Sequence, residues 1–342
     1  CTFPYQTLVQ TFYKNWDVKV IPAMSLRSSC AVLNFALKGS YCVRRSVLNG
    51  SKYKANKNGW TLTRLFSIGQ KRSSDAAEVQ PKQLVLASEQ NGIRTVCLND
   101  PKKRNALSLA MLEQLQDCMR VDLRDHTRVI ILTANGPVFS AGHDLKELTD
   151  AYGREYHHKV FHTCSLVMTM IQDLPVPVIA QVSGLATAAG CQLVASCDIA
   201  VASDKAKFAT PGVNVGLFCS TPAVAVGRSV PRKVAMEMLF TGFPITAQEA
   251  LQHGLVSRVV PEDRLEQETL RIAEKICETS KDVVALGKAT FYAQINLERK
   301  QAYSMTEKAM VDNLALVDGQ EGIRAFVEKR KPVWPSSRKT DS

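Results

Sequence analysis

Two short stretches of small residues, each closing an apolar run, fix the outline of what this chain can become. The first, Gly136-Pro137-Val138-Phe139-Ser140-Ala141-Gly142-His143-Asp144-Leu145-Lys146, follows the apolar segment 129–133. The second, Val182-Ser183-Gly184-Leu185-Ala186-Thr187-Ala188-Ala189-Gly190-Cys191-Gln192-Leu193, follows the segment 177–182. Small side chains let a ligand come close to the main chain, and the N–H groups that follow can point at it. Two such loops facing each other would hold an oxyanion, with the peptide N–H groups of His143 and Ala189 as its donors.

Around these loops the pattern alternates strand, turn and helix, which reads as α/β with a largely parallel sheet. Asn91-Gly92 between apolar runs predicts a hairpin, and Ser108 predicts the N-cap of an amphipathic helix through Met111, Leu112, Leu115 and Met119. A further helix is expected over 155–173, ended by Pro175. From Pro231 the pattern becomes helical, with helices over 233–240, 247–253, 262–279, 283–293 and a long stretch from Ala302.

Charge is spread unevenly. The chain of 342 residues has a formal charge of +11, and the part before Asp75 carries twelve Lys/Arg against the single acid Asp17. The remainder is neutral, with thirty-one residues of each sign, so it offers no basic face for nucleic acid. Residues 24–66 are rich in Ser, Arg and Lys and lack Asp and Glu, the composition of a mitochondrial transit peptide. Cleavage is expected after Phe66, in Arg64-Leu65-Phe66-Ser67. Residues 1–23 read as an upstream leader before a natural start at Met24, and 67–82 as a linker. The ten cysteines have no paired spacing, which suggests free thiols in a reducing compartment. No stretch approaches the roughly 18 apolar residues of a membrane span.

The runs 139–148 (FSAGHDLKEL) and 184–198 (GLATAAGCQLVASCD) resemble the crotonase (enoyl-CoA hydratase/isomerase) superfamily. The resemblance covers roughly 83–334. It implies a crotonase-like spiral of ββα repeats over 83–230 and a C-terminal helical region over 231–342 that assembles homotrimers, often paired as hexamers. It also implies an acyl-CoA thioester as ligand, with no cofactor beyond the CoA moiety and no metal. The thioester oxygen would accept from His143 and Ala189, each donor being worth about 3–4 kcal/mol in a transition state. Ala189 stands where the family usually has glycine, which narrows its backbone freedom.

For CoA itself the resemblance points to Lys103 and Arg104, with Lys102, near the phosphates, and to Lys146 as a further phosphate contact. It also points to the backbone of Ala141 at the adenine, to Gly190 beside the thioester, and to Phe326 and Lys329 as a C-terminal pair reaching CoA, often from a neighbouring subunit.

The departures are as informative. Family hydratases use two glutamates, and here the first position is Gln192 and the second Gly212. An amide can bind a water but cannot exchange its proton near neutral pH, and glycine has no side chain. General acid–base catalysis commonly contributes about 10²–10⁴-fold, so ordinary hydratase turnover should be absent. Asp144 reads as a loop-orienting residue, the His143 ring as ligand-shaping, and Cys219, Ser220 and Thr221 as pocket floor. His157, His158 and His162 lack a third zinc-ligand pattern, and no G-x-S-x-G elbow or phosphate loop occurs. The expected function is a mitochondrial matrix acyl-CoA binder of fatty-acid metabolism that is not an ordinary hydratase. An isomerase, hydrolase or decarboxylase would fit. The rival is a catalytically silent acyl-CoA-binding or regulatory subunit, while an RNA-binding role is disfavoured by the neutral domain.

Overall fold

The computed structural model describes residues 82–120 and 126–335. The expected leader 1–23, the expected transit peptide 24–66 with its cleavage site, and the expected linker residues 67–81 lie outside them.

The described chain opens with β1 (Val85–Gln90) and β2 (Ile93–Leu98), antiparallel across Asn91 and Gly92. Both turn residues have positive φ, 53° and 80°, as an Asn-Gly hairpin requires. Next comes α1 (Leu109–Met119), whose Ser108 cap accepts from the Met111 N–H at 3.2 Å. Such a cap stabilises by about 1 kcal/mol. The face buried by this helix is the predicted one, Met111, Leu112, Leu115 and Met119, with Leu109 added.

From there one unit repeats. A long strand bends into a short strand, and a helix follows: β3 (Val129–Ala134), β4 (Val138–Ser140), α2 (Gly153–Asp173); β5 (Val178–Val182), β6 (Leu185–Thr187), α3 (Ala189–Ser196); β7 (Ile199–Ser203), β8 (Lys207–Ala209), α4 (Ser220–Ser229). The long strands join a six-stranded sheet, ordered β1-β2-β3-β5-β7-β10 with β10 at Arg258–Val260. The short ones build a four-stranded sheet, β4-β6-β8-β9, with β9 at Ile245–Thr246. Among the described strands only β1–β2 and β8–β9 are antiparallel. This is the ββα spiral. Its turns stack so closely that a Cβ on Gly184 would stand 2.0 Å from the Pro137 carbonyl oxygen. At φ +71° only glycine passes there without strain.

The main core lies between the sheets and α1 to α3, and a second cluster lies on the other face of the large sheet. There α7 (Leu265–Cys277) covers Ile93, Val129, Ile131, Ile179 and Val201. In the chain, α5 (Arg232–Thr241) and α6 (Ala247–Gln252) come between α4 and α7. The region after Pro231 is therefore less uniformly helical than its pattern suggests, since β9 and β10 both complete core sheets beyond the division at 230/231. Strands of two or three residues are too short to show alternation. The expected helix over 262–279 starts as a 3-10 turn at Glu262–Arg264, and the stretch from Ala302 is broken at extended Leu316.

The C-terminal helices α8 (Lys281–Gln294), α9 (Arg299–Ala315) and α10 (Val317–Val327) are anchored through buried polar contacts. Lys288 Nζ donates to Asp198 Oδ2 at 2.7 Å and to the carbonyls of Ile171 and Val176 at 2.7 and 2.9 Å, while Tyr292 donates to Asp198 Oδ1 at 2.8 Å. No residue of α9 is buried, and Tyr303, Met310, Val311 and Leu314 point outward. No helix among the described residues is long and apolar enough to cross a membrane.

Candidate functional site

Parallel pairing of β4 with β6, Val138 with Leu185 and Ser140 with Ala186, sets the two small-residue loops side by side. Their contact is tight. A Cβ on Gly142 would stand 2.9 Å from Ala188 Cβ, 3.0 Å from the Thr187 carbonyl oxygen and 3.2 Å from the Ala189 nitrogen, and Gly142 has φ +82°. Gly190 is pressed against Ser140, whose carbonyl oxygen a Cβ would approach to 2.5 Å.

Each expected donor belongs to a peptide unit whose carbonyl is already held. Gly142 oxygen accepts from Leu107 N–H at 2.7 Å, which turns the N–H of the same planar peptide, that of His143, the opposite way. Ala188 oxygen accepts from Gln192 N–H at 3.0 Å, inside the first turn of α3, so the Ala189 N–H is one of that helix's unpaired N-terminal donors. Among the described residues neither N–H meets a protein acceptor. The helix dipole of α3 adds positive potential at Ala189. The unusual backbone is not at Ala189, where the family's glycine suggested it, but one residue earlier. Ala188 has φ 49° and ψ −118°, while Ala189 starts the helix. Such a conformation costs an alanine of the order of 1–3 kcal/mol, here imposed by the packing of the two loops.

Both donors border a cavity of about 490 Å³, with Ala141, His143, Ala188 and Ala189 on one side. Leu145, Leu148, Phe161, Val215, Leu217, Phe218 and Pro222 make the rest largely apolar, and Cys219, Ser220 and Thr221 do line it. No Asp or Glu does. Gln192 lies beneath the lining, 4 % exposed, and its Oε1 has no protein partner. Gly212 lines the cavity, but the space in front of it is taken, because a Cβ there would meet the Leu217 carbonyl oxygen at 2.6 Å and Cys219 Sγ at 2.8 Å.

Titration supports a neutral site. Burial pushes the Cys219 thiol up, against a smaller lowering by the Gly212 backbone, and burial takes Cys191 to about 12. These thiols are not poised nucleophiles. Burial lowers the His143 imidazole, and its bond to the Leu107 carbonyl opposes this only in part.

The remaining expected residues sit around the first loop or far from it. Asp144 orients the loop: it accepts from the Lys146 N–H at 3.1 Å and pairs with Lys103 at 3.1 Å. Partial burial raises its carboxyl, but those two partners outweigh burial and hold it below the ordinary value. Arg104, left-handed at φ 54°, accepts the Ala141 N–H on its carbonyl at 3.0 Å, so the Ala141 carbonyl is the backbone group left to a ligand. Lys146 is exposed beside the cavity residue Leu145. Phe326, 85 % exposed, and Lys329 stand at the end of α10, outside the lining.

The brace of the first loop was not singled out from the sequence. Asn105, fully buried with φ 51°, accepts from the Asp100 N–H and donates to the carbonyls of Asn135 and Val138. Ser140 Oγ donates to the Asn105 carbonyl and accepts from the Gly142 N–H. An asparagine shortly after Asp100-Pro101, at a position open to left-handed backbone, was the available signal.

A spiral of ββα units that presents two backbone donors to an apolar cavity defines a crotonase-type protein. The chain belongs to the enoyl-CoA hydratase/isomerase family, whose profile matches residues 88–337. It is 65 % identical to the mitochondrial enoyl-CoA hydratase domain-containing protein 3 of Mus musculus, over 75 % of this chain and 86 % of that protein. It is 34 % identical to the mitochondrial enoyl-CoA hydratase of Pongo abelii, over 70 % and 83 %. Among solved structures it resembles human enoyl coenzyme A hydratase domain-containing protein 3, at 66 % identity and a TM-score of 0.73, covering 73 % of this chain and all (100 %) of that one.

Proposed function

We propose that this chain binds an acyl-CoA thioester in the mitochondrial matrix, as part of fatty-acid or acyl-CoA metabolism, and does not hydrate enoyl-CoA in the ordinary way. The carrying observation is the pair of carbonyl-anchored peptide units whose His143 and Ala189 N–H groups border the apolar cavity without a protein acceptor. Such donors fit a thioester oxygen and favour the charge that grows on it when an enolate forms. The location rests on relatives that are named mitochondrial, together with the basic, acid-free segment 24–66. Homotrimers or hexamers are supported by the apolar side chains that α8 to α10 leave exposed.

One observation favours the silent reading. No carboxylate of the described residues lines the cavity, and the position facing it at Gly212 is closed by Cys219 and Leu217. Proton transfer would then fall to another group, or not occur.

The test incubates the full chain with saturated, 2-enoyl, 3-enoyl and malonyl-type CoA esters, following unfolding temperature and product mass together. Binding stabilises by about 2.7 kcal/mol at a hundredfold excess over Kd. Ala189→Pro removes one donor at the first helical position, where proline is tolerated. Stabilisation that the variant loses supports the thioester site; turnover that it loses makes the chain an enzyme; insensitivity to every ester sinks both readings.

A further inference from the structure

One residue holds the first loop from two directions. Leu107, fully buried, donates its N–H to the Gly142 carbonyl at 2.7 Å, and its carbonyl lies 3.2 Å from His143 Nδ1. A carbonyl can only accept, so Nδ1 carries the ring proton and Nε2 is a bare lone pair. Nε2 is buried with no partner among the described residues, and the ring meets Phe161 edge-on with centroids 5.0 Å apart. The imidazole is wedged between the Leu107 carbonyl and an aromatic ring. The backbone that it flanks turns on Gly142, a residue with no side chain to oppose rotation of the next peptide.

We propose that the His143 side chain is a positioning residue for the oxyanion donor on its own backbone: through Nδ1–H to Leu107 it keeps the Gly142–His143 peptide facing the cavity, so acyl-CoA affinity depends on the ring being neutral. This rests on the thioester reading and adds the side chain that controls it. A second ring proton would place an N–H with no acceptor in apolar surroundings. The charged ring would leave for water and take Nδ1 away from Leu107.

The neighbouring charges do not offset this. Asp144 is paired with Lys103, and Glu147 accepts the Leu109 N–H at 2.8 Å. Arg104 and Lys146 carry the same sign as an imidazolium. On α2, His157 is bonded to the Thr149 carbonyl, and His158 and His162 stack on each other. Tyr156 on that helix is a neutral phenol, as is the Cys219 thiol in the cavity wall. The ring's titration is set by burial, downward, and then by the Leu107 bond, upward. Half-charging therefore falls below the ordinary histidine value of about 6.5.

The experiment measures octanoyl-CoA affinity of the full chain by calorimetry from about pH 8 to pH 5. The native chain, His143→Leu and His143→Asn are compared, the last offering an amide nitrogen in place of Nδ1 that does not titrate. Native affinity is expected to fall on acidification, beyond any fall shared with the variants. His143→Leu should be weaker than native at pH 8 by tenfold or more, and His143→Asn should regain part of that loss. A native profile parallel to both variants, or a leucine variant as tight as native, overturns the proposal.

A ligand-free arm uses nitrogen shifts of labelled histidine rings and the amide shifts of Gly142 and His143. A ring proton on Nε2, or titration that leaves those amides unmoved, overturns it as well. Failure of octanoyl-CoA to bind at any pH counts against the thioester reading alone.

Discussion

Cys219 stands where a side chain on Gly212 would begin: Sγ lies 2.8 Å from the Cβ position that Gly212 lacks. The position that resembles a hydratase glutamate carries no side chain, and its neighbours leave little room for one. Gly212→Glu should therefore destabilise the fold by about 1–3 kcal/mol through overpacking, without creating 2-enoyl-CoA hydration. Urea unfolding checks the first part and loss of enoyl absorbance the second. Adding Cys219→Ala should recover part of the stability. A Gly212→Glu chain as stable as the native one would show that the contact yields freely.

Gly142 touches the second loop with φ +82°, whereas Gly153 has φ +75° and nothing within 4 Å. Gly142→Ala adds steric overlap to backbone strain and should weaken acyl-CoA binding at least tenfold. In Gly153→Ala only strain arises, of about 1–3 kcal/mol, and affinity should hold. Titrating both variants with one thioester separates the two effects, and equal affinities would contradict the expectation.

Lys288 and Asp198 form a contact only 6 % and 14 % exposed at their side chains. Lys288→Met leaves the Asp198 carboxylate without its cation and should destabilise by about 3–5 kcal/mol. Asp198→Asn in that background should restore part of the loss. Unfolding of the single and double variants decides the matter, with additive losses as the contrary result.

Arg330, bidentate at 2.6 and 3.0 Å, and then the Val333 N–H hold the Glu321 carboxyl down at about 2. In the unfolded chain a glutamate protonates near 4.3, so on acidification the unfolded state takes up the proton first. The stabilisation is full above about pH 5 and is lost between there and about pH 2. Melting temperatures of the native chain and Glu321→Gln should converge across that window. Parallel curves would mean that the pair adds nothing.

What was legible in the sequence is what local chemistry dictates. Asn91-Gly92 specifies its turn, Ser108 its cap, and apolar residues 129–132 a buried strand. The two loops could be read only as a pair, because a single run of small residues after an apolar strand occurs in many α/β proteins. Other features depend on residues far apart in the chain. Nothing near Gly212 announces that Cys219 and Leu217 will fold back over it. Lys288 and Asp198 are ninety positions apart. Ala188 shows the same limit from the opposite side. Local preference predicts a glycine at φ 49°, and only the fit of two loops explains why an alanine is kept there.

Both donors proposed for the thioester oxygen belong to the main chain, and that gives the site an uneven fate under mutation. Side-chain replacement deletes an acid or a base in one step, whereas neither peptide N–H can be removed by any substitution except proline. A lineage that sheds its acid–base residues therefore keeps a receptor for acyl-CoA as long as its spiral folds. Recognition outlasts catalysis, and a chain in that condition is raw material for a sensor or for a different reaction built around the same held oxygen.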